Sequence, residues 1–274
     1  MKKTFAALCF IACMLSFPAF YKGMTHGFRP GKLKRKFCLS LQEASSTSNA
    51  PMPAEIARLF HRPFRYIGRG LQSFAFQSED GQIVVKLFKK IGPSRGIKSI
   101  RQKKDSIAPG EKMANTFQAC EIAFAMAKKE TGVLYLSLEP TSERQPLLLI
   151  KNRFGFLSQI ALDRYAFVIQ RKAEPFEPVL LRALKDGSAG ALIDSYLELM
   201  YHRAQKGICN TDLSFKNLGF LEGGAIEIDF GNYVYRPEEK QLEWNRWVSE
   251  MRYFLKANHP EFLSEYERKV KDFS

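Results

Sequence analysis

Three side chains in the segment Lys206–Asn232 (KGICNTDLSFKNLGFLEGGAIEIDFGN) have types and spacing suited to chemistry on a hydroxyl: Asp212, Asn217 and Asp229. Asp212 can accept a proton from a hydroxyl. Asn217 and Asp229 offer hard oxygen atoms of the kind that hold magnesium. That combination requires an element that brings them to one place. LGFL and AIEI, on either side of Gly223-Gly224, read as two short strands joined by a tight turn. Such a hairpin returns Asp229 to the end of the unit where Asn217 starts. The plainer alternative is a chance Asp/Asn turn beside a hydrophobic strand.

A second group lies upstream in FRYIGRGLQSFAFQSEDGQIVVKLFKK. Strand-like runs Phe64 to Ile67 and Ser73 to Gln77 flank Gly68-Arg69-Gly70, and a turn at Asp80-Gly81 leads into IVVKLF, which carries Lys86. Glycines let backbone amides approach phosphates, and a lysine on a strand can pair with them. Alone, G-x-G-x-x-S is a weak signal, because glycines are common in β turns.

Other stretches read as scaffolding. Pro53 opens a helix over AEIARLFH that Pro63 stops, and Glu111 to Glu130 reads as a helix ended by Thr131-Gly132. VLYLSL, LLLIKN, FGFLSQIAL and YAFVIQ read as strands. From about Ala189 to Lys206, Leu192, Ile193, Tyr196, Leu197, Met200 and Ala204 share one helical face, with Gly207 as C-cap. That helix would present the Asp212 loop at its end. Beyond Gly231, one amphipathic helix bears Trp244, Trp247, Val248, Met251 and Leu255, and a second follows Pro260.

With 274 residues, 45% hydrophobic and 13% aromatic, the chain can bury an ample core in one large domain or two small lobes. A net charge of +14 favours acidic partners without choosing among nucleotide phosphates, acidic proteins, nucleic acid and anionic lipid. Of the five cysteines, Cys9 and Cys13 lie in the leader; Cys38, Cys120 and Cys209 are widely spread, show no metal-like pairing and make no disulfide framework, which suits a reducing compartment.

Residues 1–20 (MKKTFAALCFIACMLSFPAF) look like a bacterial secretory signal peptide, although no clear A-x-A precedes Tyr21. The basic residues Lys22, Arg29, Lys32, Lys34, Arg35 and Lys36 that follow resist translocation, so residues 4–20 could instead anchor the protein in a membrane with its body in the cytoplasm. Residues 21–52 read as a basic, then Ser-rich disordered linker. The segment 89–104 (KKIGPSRGIKSIRQKK) is basic without an acid; it reads as a solvated loop or as a docking strip for an acidic partner. Few aromatics interleave it, which disfavours a nucleic-acid stacking platform.

Taken in order, the glycine pair, the lysine on a strand, Asp-x4-Asn and Asp-Phe-Gly resemble the protein-kinase superfamily, with its H-R-D-L-x-x-x-N and D-F-G. The resemblance covers about residues 64–255. It implies an α+β, two-lobed protein-kinase-like fold over residues 53–274: an antiparallel N-lobe sheet with helix C (about 64–172) and a truncated, mainly helical C-lobe (about 173–274). It implies ATP and Mg2+ as cofactors. By the same resemblance, Gly68, Gly70 and Ser73 would cover the phosphates and Lys86 would hold them. Glu121, with Glu111 as rival, would orient Lys86 from helix C; Asp212 would be the catalytic base; Asn217 and Asp229 would bind the metal. QRKAEPF would match the hinge beside an adenine pocket.

Departures are visible too. Asn210 and Thr211 stand where His and Arg precede the aspartate, Ser214 replaces a lysine, no A-P-E follows, and a long helical remainder is missing. This truncation is similar to reduced kinases that some bacteria export into host cells. It implies a minimal protein Ser/Thr kinase acting on a protein, including a host protein, after secretion. A small-molecule kinase of the aminoglycoside type and a non-catalytic kinase-shaped binding module are the competing readings.

Overall fold

A computed structural model describes residues 28–36, 51–90, 109–141, 144–152 and 154–273. The leader, most of the presumed linker and the body of the basic insert lie outside the described residues. In chain order the principal elements are α1 (Ala54–Arg58), β1 (Phe64–Arg69), β2 (Ser73–Ser78), β3 (Ile83–Phe88), α2 (Pro109–Met126), α3 (Lys128–Thr131), β4 (Val133–Ser137), β5 (Leu147–Lys151), β6 (Leu157–Ala161), β7 (Phe167–Arg171), β8 (Glu174–Pro175), α4 (Phe176–Lys185), α5 (Gly190–Gln205), β9 (Ile208–Asn210), β10 (Leu218–Leu221), β11 (Gly224–Glu227), β12 (Tyr233–Tyr235), α6 (Lys240–Asn258) and α7 (Leu263–Lys271). The described residues divide into two compact units, one built on 28–36, 51–90 and 138–167, the other on 109–137 and 168–273. This is an α+β fold.

In the first unit the strands run in the order β3-β2-β1-β5-β6. β2 pairs antiparallel with β1 and with β3, and β5 with β6. The sheet is not wholly antiparallel as expected: β1 and β5 run parallel, Phe64 opposite Ile150 and Arg65 opposite Lys151. A parallel neighbour needs a long crossover, and the chain between β1 and β5 provides one. Alternation on β2 buries Phe74, Phe76 and Ser78, a period of two that packs one face. β3 is buried on both faces except at Lys86.

Residues 28–36 correct the linker reading. Phe28 meets Phe74 and Phe76 edge-on, at ring distances of 5.2 and 5.0 Å. Leu33 is fully buried and bridges to Lys89. Lys34 N–H donates to the Phe88 carbonyl at 2.8 Å. Two apolar side chains in a basic run are enough to dock it at the end of β3.

The second unit is mainly helical. Its core gathers Phe176 and Leu180 of α4, Tyr196, Leu197 and Met200 of α5, Trp244, Trp247 and Met251 of α6, and Tyr266 of α7. Buried tyrosines close two seams: the Tyr196 hydroxyl donates to the Trp247 carbonyl and that of Tyr266 to the Val248 carbonyl, each at 2.8 Å. Helix α4 had no counterpart in the sequence reading. Pro178 lies in its first turn, where a missing N–H breaks no helical bond. The helix expected over Glu111–Glu130 breaks at Ala127, whose φ of −131° and ψ of 34° leave the helical region. The break lets Glu130 and Thr131 turn inward, and Gly132 ends α3 in the left-handed region at φ 66°. α2 packs against β12.

Candidate functional site

Helix α5 delivers the chain to the Asp212 loop through Gly207, which has φ +72° and whose N–H donates to the Ala204 carbonyl at 2.8 Å. A Cβ there would stand 2.7 Å from Pro237 Cα, so glycine is required on both counts. β9 follows and pairs antiparallel with β12, Asn210 opposite Tyr233 and Cys209 opposite Val234. The strand before Asp212 and the strand after Asp229 therefore form one ladder.

β10 and β11 make the expected hairpin, with Leu218 opposite Glu227 and Leu221 opposite Gly224. Its turn lies one residue earlier than Gly223-Gly224: Glu222 and Gly223 take φ of 51° and 86°, the pair of positive values that a two-residue turn demands. Gly224 is already strand. At the open end, the Asn217 carbonyl accepts Ile228 N–H at 2.7 Å and Asp229 N–H at 3.1 Å. The Asn217 amide Nδ2 donates to the Asp212 carbonyl at 3.1 Å. Asp212, Asn217 and Asp229 are thus tied at one end of the hairpin. Asp212 and Asp229 are exposed and Asn217 is buried.

The donor set fits a hard divalent ion. With Nδ2 committed to Asp212, Asn217 keeps Oδ1 as an acceptor, and the Asp229 carboxylate accepts the Gly231 N–H at 3.4 Å. One carboxylate and one amide oxygen leave most positions to phosphate oxygens and water, which is how Mg2+ is usually held. Among the described residues there is no cluster of three His, Cys, Asp or Glu side chains that would form a closed protein cage.

Beneath the loop lies a set of residues whose role the sequence reading missed. Arg203 is fully buried and forms ion pairs with Glu227 at 2.5 Å and with Glu243. Tyr233 donates to the other Glu227 oxygen. Glu243 also accepts Trp247 Nε1 and Asn210 N–H, both at 2.9 Å. Burial opposes the Arg203 charge, but Glu227, Tyr233 and Glu243 prevail and hold its pKa above the ordinary value. The one signal in sequence was an arginine on the apolar face of α5. Nearby Cys209 is unsuited to nucleophilic work, since burial pushes its thiol up to about 11.

The remaining site candidates divide between the units. Gly68, Gly70, Ser73 and Lys86 sit together on the β1–β2–β3 sheet of the first unit. Gly70 N–H donates to the Ser73 carbonyl at 3.0 Å, and Lys89 Nζ donates to the Gly70 carbonyl while lying 4.6 Å from the centre of the Phe74 ring. A Cβ on Gly68 or Gly70 would meet nothing within 4 Å, so open space adjoins both glycines. Lys86 faces Ala75 across the ladder and is half-buried. Glu121 is half-buried on α2 of the second unit, and Glu111 is exposed in its first turn. A separate cavity of about 720 Å³ in the second unit lies at the turn end of the hairpin, among Glu130, Arg171, Lys206 and Glu222, away from the Asp212 end.

One unit thus carries a glycine-bearing hairpin and a strand lysine, and the other an Asp loop followed by a hairpin that runs from Asn217 to Asp229. No protein-family model and no curated protein matches the chain. Among solved structures, the chain is similar to a 2.2 Å crystal structure of WbdD at 15% identity and a TM-score of 0.39, covering 77% of this chain and 46% of that one. It is similar to a co-crystal structure of WbdD with the kinase inhibitor LY294002 at 16% identity and a TM-score of 0.38, covering 75% and 45%. For monomeric WbdD the values are 19% and 0.35, covering 68% and 39%. The chain spans less than half the length of these structures.

Proposed function

We propose that the protein is an ATP- and Mg2+-dependent phosphotransferase, with a serine or threonine hydroxyl of a protein as acceptor. The observation that supports this reading most directly is the tie among Asp212, Asn217 and Asp229: Asn217 bonds the Asp212 carbonyl through its side chain and the Asp229 N–H through its backbone. A base and two oxygen ligands held at one hairpin end suit phosphoryl transfer. The acceptor oxygen attacks the γ-phosphorus, the bond from that phosphorus to the ADP oxygen breaks, and the hydroxyl proton passes to the Asp212 carboxylate. A bound Mg2+ would neutralise charge on the phosphates, with Asn217 and Asp229 as its protein ligands. Gly68, Gly70 and Ser73 would cover the phosphates and Lys86 would pair with them. The reading requires both sets of residues to engage one nucleotide.

The leader supports export from a bacterium, with activity after delivery to an ATP-containing compartment; the basic residues after it, which resist translocation, support the alternative of retention by a membrane anchor. The basic segment 89–104 would dock an acidic region of the substrate protein.

The test is incubation of the full chain with magnesium and γ-labelled ATP in a cell lysate, resolved into protein and small-molecule fractions. Label on protein, lost in Asp212→Ala, is the expected result. Label confined to small molecules would move the acceptor to that class. Nucleotide binding with no transfer at all would leave a non-catalytic module.

A further inference from the structure

We propose that Asn210 is a positioning residue for Asp212, fixing the backbone of the base through a carboxamide that the buried Arg203–Glu227 pair holds in one orientation. The proposal rests on the phosphotransferase reading and names a residue which that reading leaves unassigned.

Asn210 is fully buried, and three of its polar atoms are taken. Its Nδ2 donates to Glu227 Oε1 at 3.0 Å, its Oδ1 accepts Asp212 N–H at 3.0 Å, and its own N–H donates to Glu243 Oε1 at 2.9 Å. A carboxylate only accepts and a backbone N–H only donates, so reversing the amide would break both side-chain bonds. The orientation is therefore determined by its partners.

Those partners are themselves buried and hydrogen-bonded. Glu227 is fully buried and receives Arg203 on Oε1 and the Tyr233 hydroxyl on Oε2, while its carbonyl accepts Gln170 Nε2 at 3.0 Å. Arg203 reaches Glu243 with its other terminal nitrogen, and Glu243 also holds Trp247 and, at 3.3 Å, Arg246. The packed helices α5 and α6 are thus linked by hydrogen bonds to the amide nitrogen of Asp212. Asp212 is exposed, and its bond to Asn210 Oδ1 links it directly to this buried set. The Asn217 bond to the Asp212 carbonyl holds the other side of the same residue. Together they clamp its peptide groups before and after the Cα.

A base displaced by about 1 Å loses on the order of a hundredfold in rate while ground-state binding is spared. Asn210→Ala removes both side-chain bonds. Asn210→Ser restores an acceptor two residues before the Asp212 N–H, the arrangement of a serine turn, without the bond to Glu227. The experiment measures initial rates of transfer from Mg-ATP for the wild type and both variants, normalised to nucleotide-binding sites counted by ATP titration. Normalisation separates a misplaced base from a smaller folded fraction. The expected result is a kcat lowered about 10- to 100-fold in Asn210→Ala, with KM for Mg-ATP within about twofold of wild type, and partial recovery in Asn210→Ser. Unchanged kcat per site in Asn210→Ala would overturn the proposal, as would equal losses in both variants. If neither variant folded, Asn210 would be holding the fold and not the base, and the proposal would fall. Absence of transfer by the wild type itself would instead reject the phosphotransferase reading.

Discussion

Asp229 N–H donates to the Asn217 carbonyl at 3.1 Å, just beyond the last residues of the β10–β11 ladder. This bond makes the distance between two prospective metal ligands a property of backbone pairing, which side-chain rotamers alone would not hold. The hairpin turn at Glu222-Gly223 sets the register, and the register sets the ligands.

The two acids at this end should therefore separate in their effects. Asp212→Ala should lower turnover by about two orders of magnitude or more, the scale of a positioned base, and leave nucleotide affinity near wild type. Asp229→Ala should abolish the part of the nucleotide-induced melting shift that depends on magnesium. Melting curves with ATP, with and without magnesium, check this. An unaltered magnesium dependence in Asp229→Ala would remove Asp229 from the metal site.

Much of this geometry was legible in the sequence, and the reasons are specific. Asp212, Asn217 and Asp229 lie within a local unit whose hairpin is written in glycines and alternating apolar residues. Helix α5 was legible from its periodic apolar face. What was hidden depends on distant partners. Asn210 looked like a departure from a motif, because Glu227 and Glu243, which give its side chain and N–H their partners, come from β11 and α6. The parallel placement of β5 beside β1 was equally invisible, since strand direction is a tertiary property. Helix α4 was not read in the sequence at all, and Pro178 in its first turn is compatible with a helix start.

Arg203→Met should test the buried hub. The substitution roughly keeps volume and removes the cation that Glu227 and Glu243 share, leaving Glu243 its contact with Arg246 at 3.3 Å, in a site where both carboxylate side chains are almost wholly buried. Breaking such a set from one side destabilises by about 3–5 kcal/mol. Urea unfolding should show the midpoint falling with little change in slope. A loss below about 1 kcal/mol would mean that the two carboxylates rearrange or take up protons at little expense.

Gly219→Ala should be costly for a steric reason. A Cβ at this position would lie 2.7 Å from both Ala173 Cβ and Ile228 Cγ2, with β10 pressed between β8 and the residue just before Asp229. Overpacking of this kind destabilises by about 1–3 kcal/mol. Because the displaced neighbour is Ile228, turnover should fall as well. Thermal melting and initial rates check the two effects together, and a variant as stable as wild type would show that β8 yields.

Lys36 gives a prediction with a pH signature. The residue sits in the docked segment 28–36, its Nζ is buried with no hydrogen-bond partner among the described residues, and it lies 5.3 Å from the centre of the Phe167 ring. Burial pushes its pKa down to about 8 from 10.5, and the Asp163 charge offsets only part of this. The folded protein therefore binds the proton less tightly than the unfolded chain does. Across the interval from about 8 to 10.5, the unfolded chain holds more protons, so stability rises with pH there; below about 8 the whole penalty is present. Lys36→Met keeps the apolar stem and removes the charge. Its melting temperature should exceed that of wild type at pH 7, and the difference should shrink as pH rises from 8 to 10.5. A difference that stays constant over that interval would show that the charge is solvated in the folded protein and that the stem alone docks the segment.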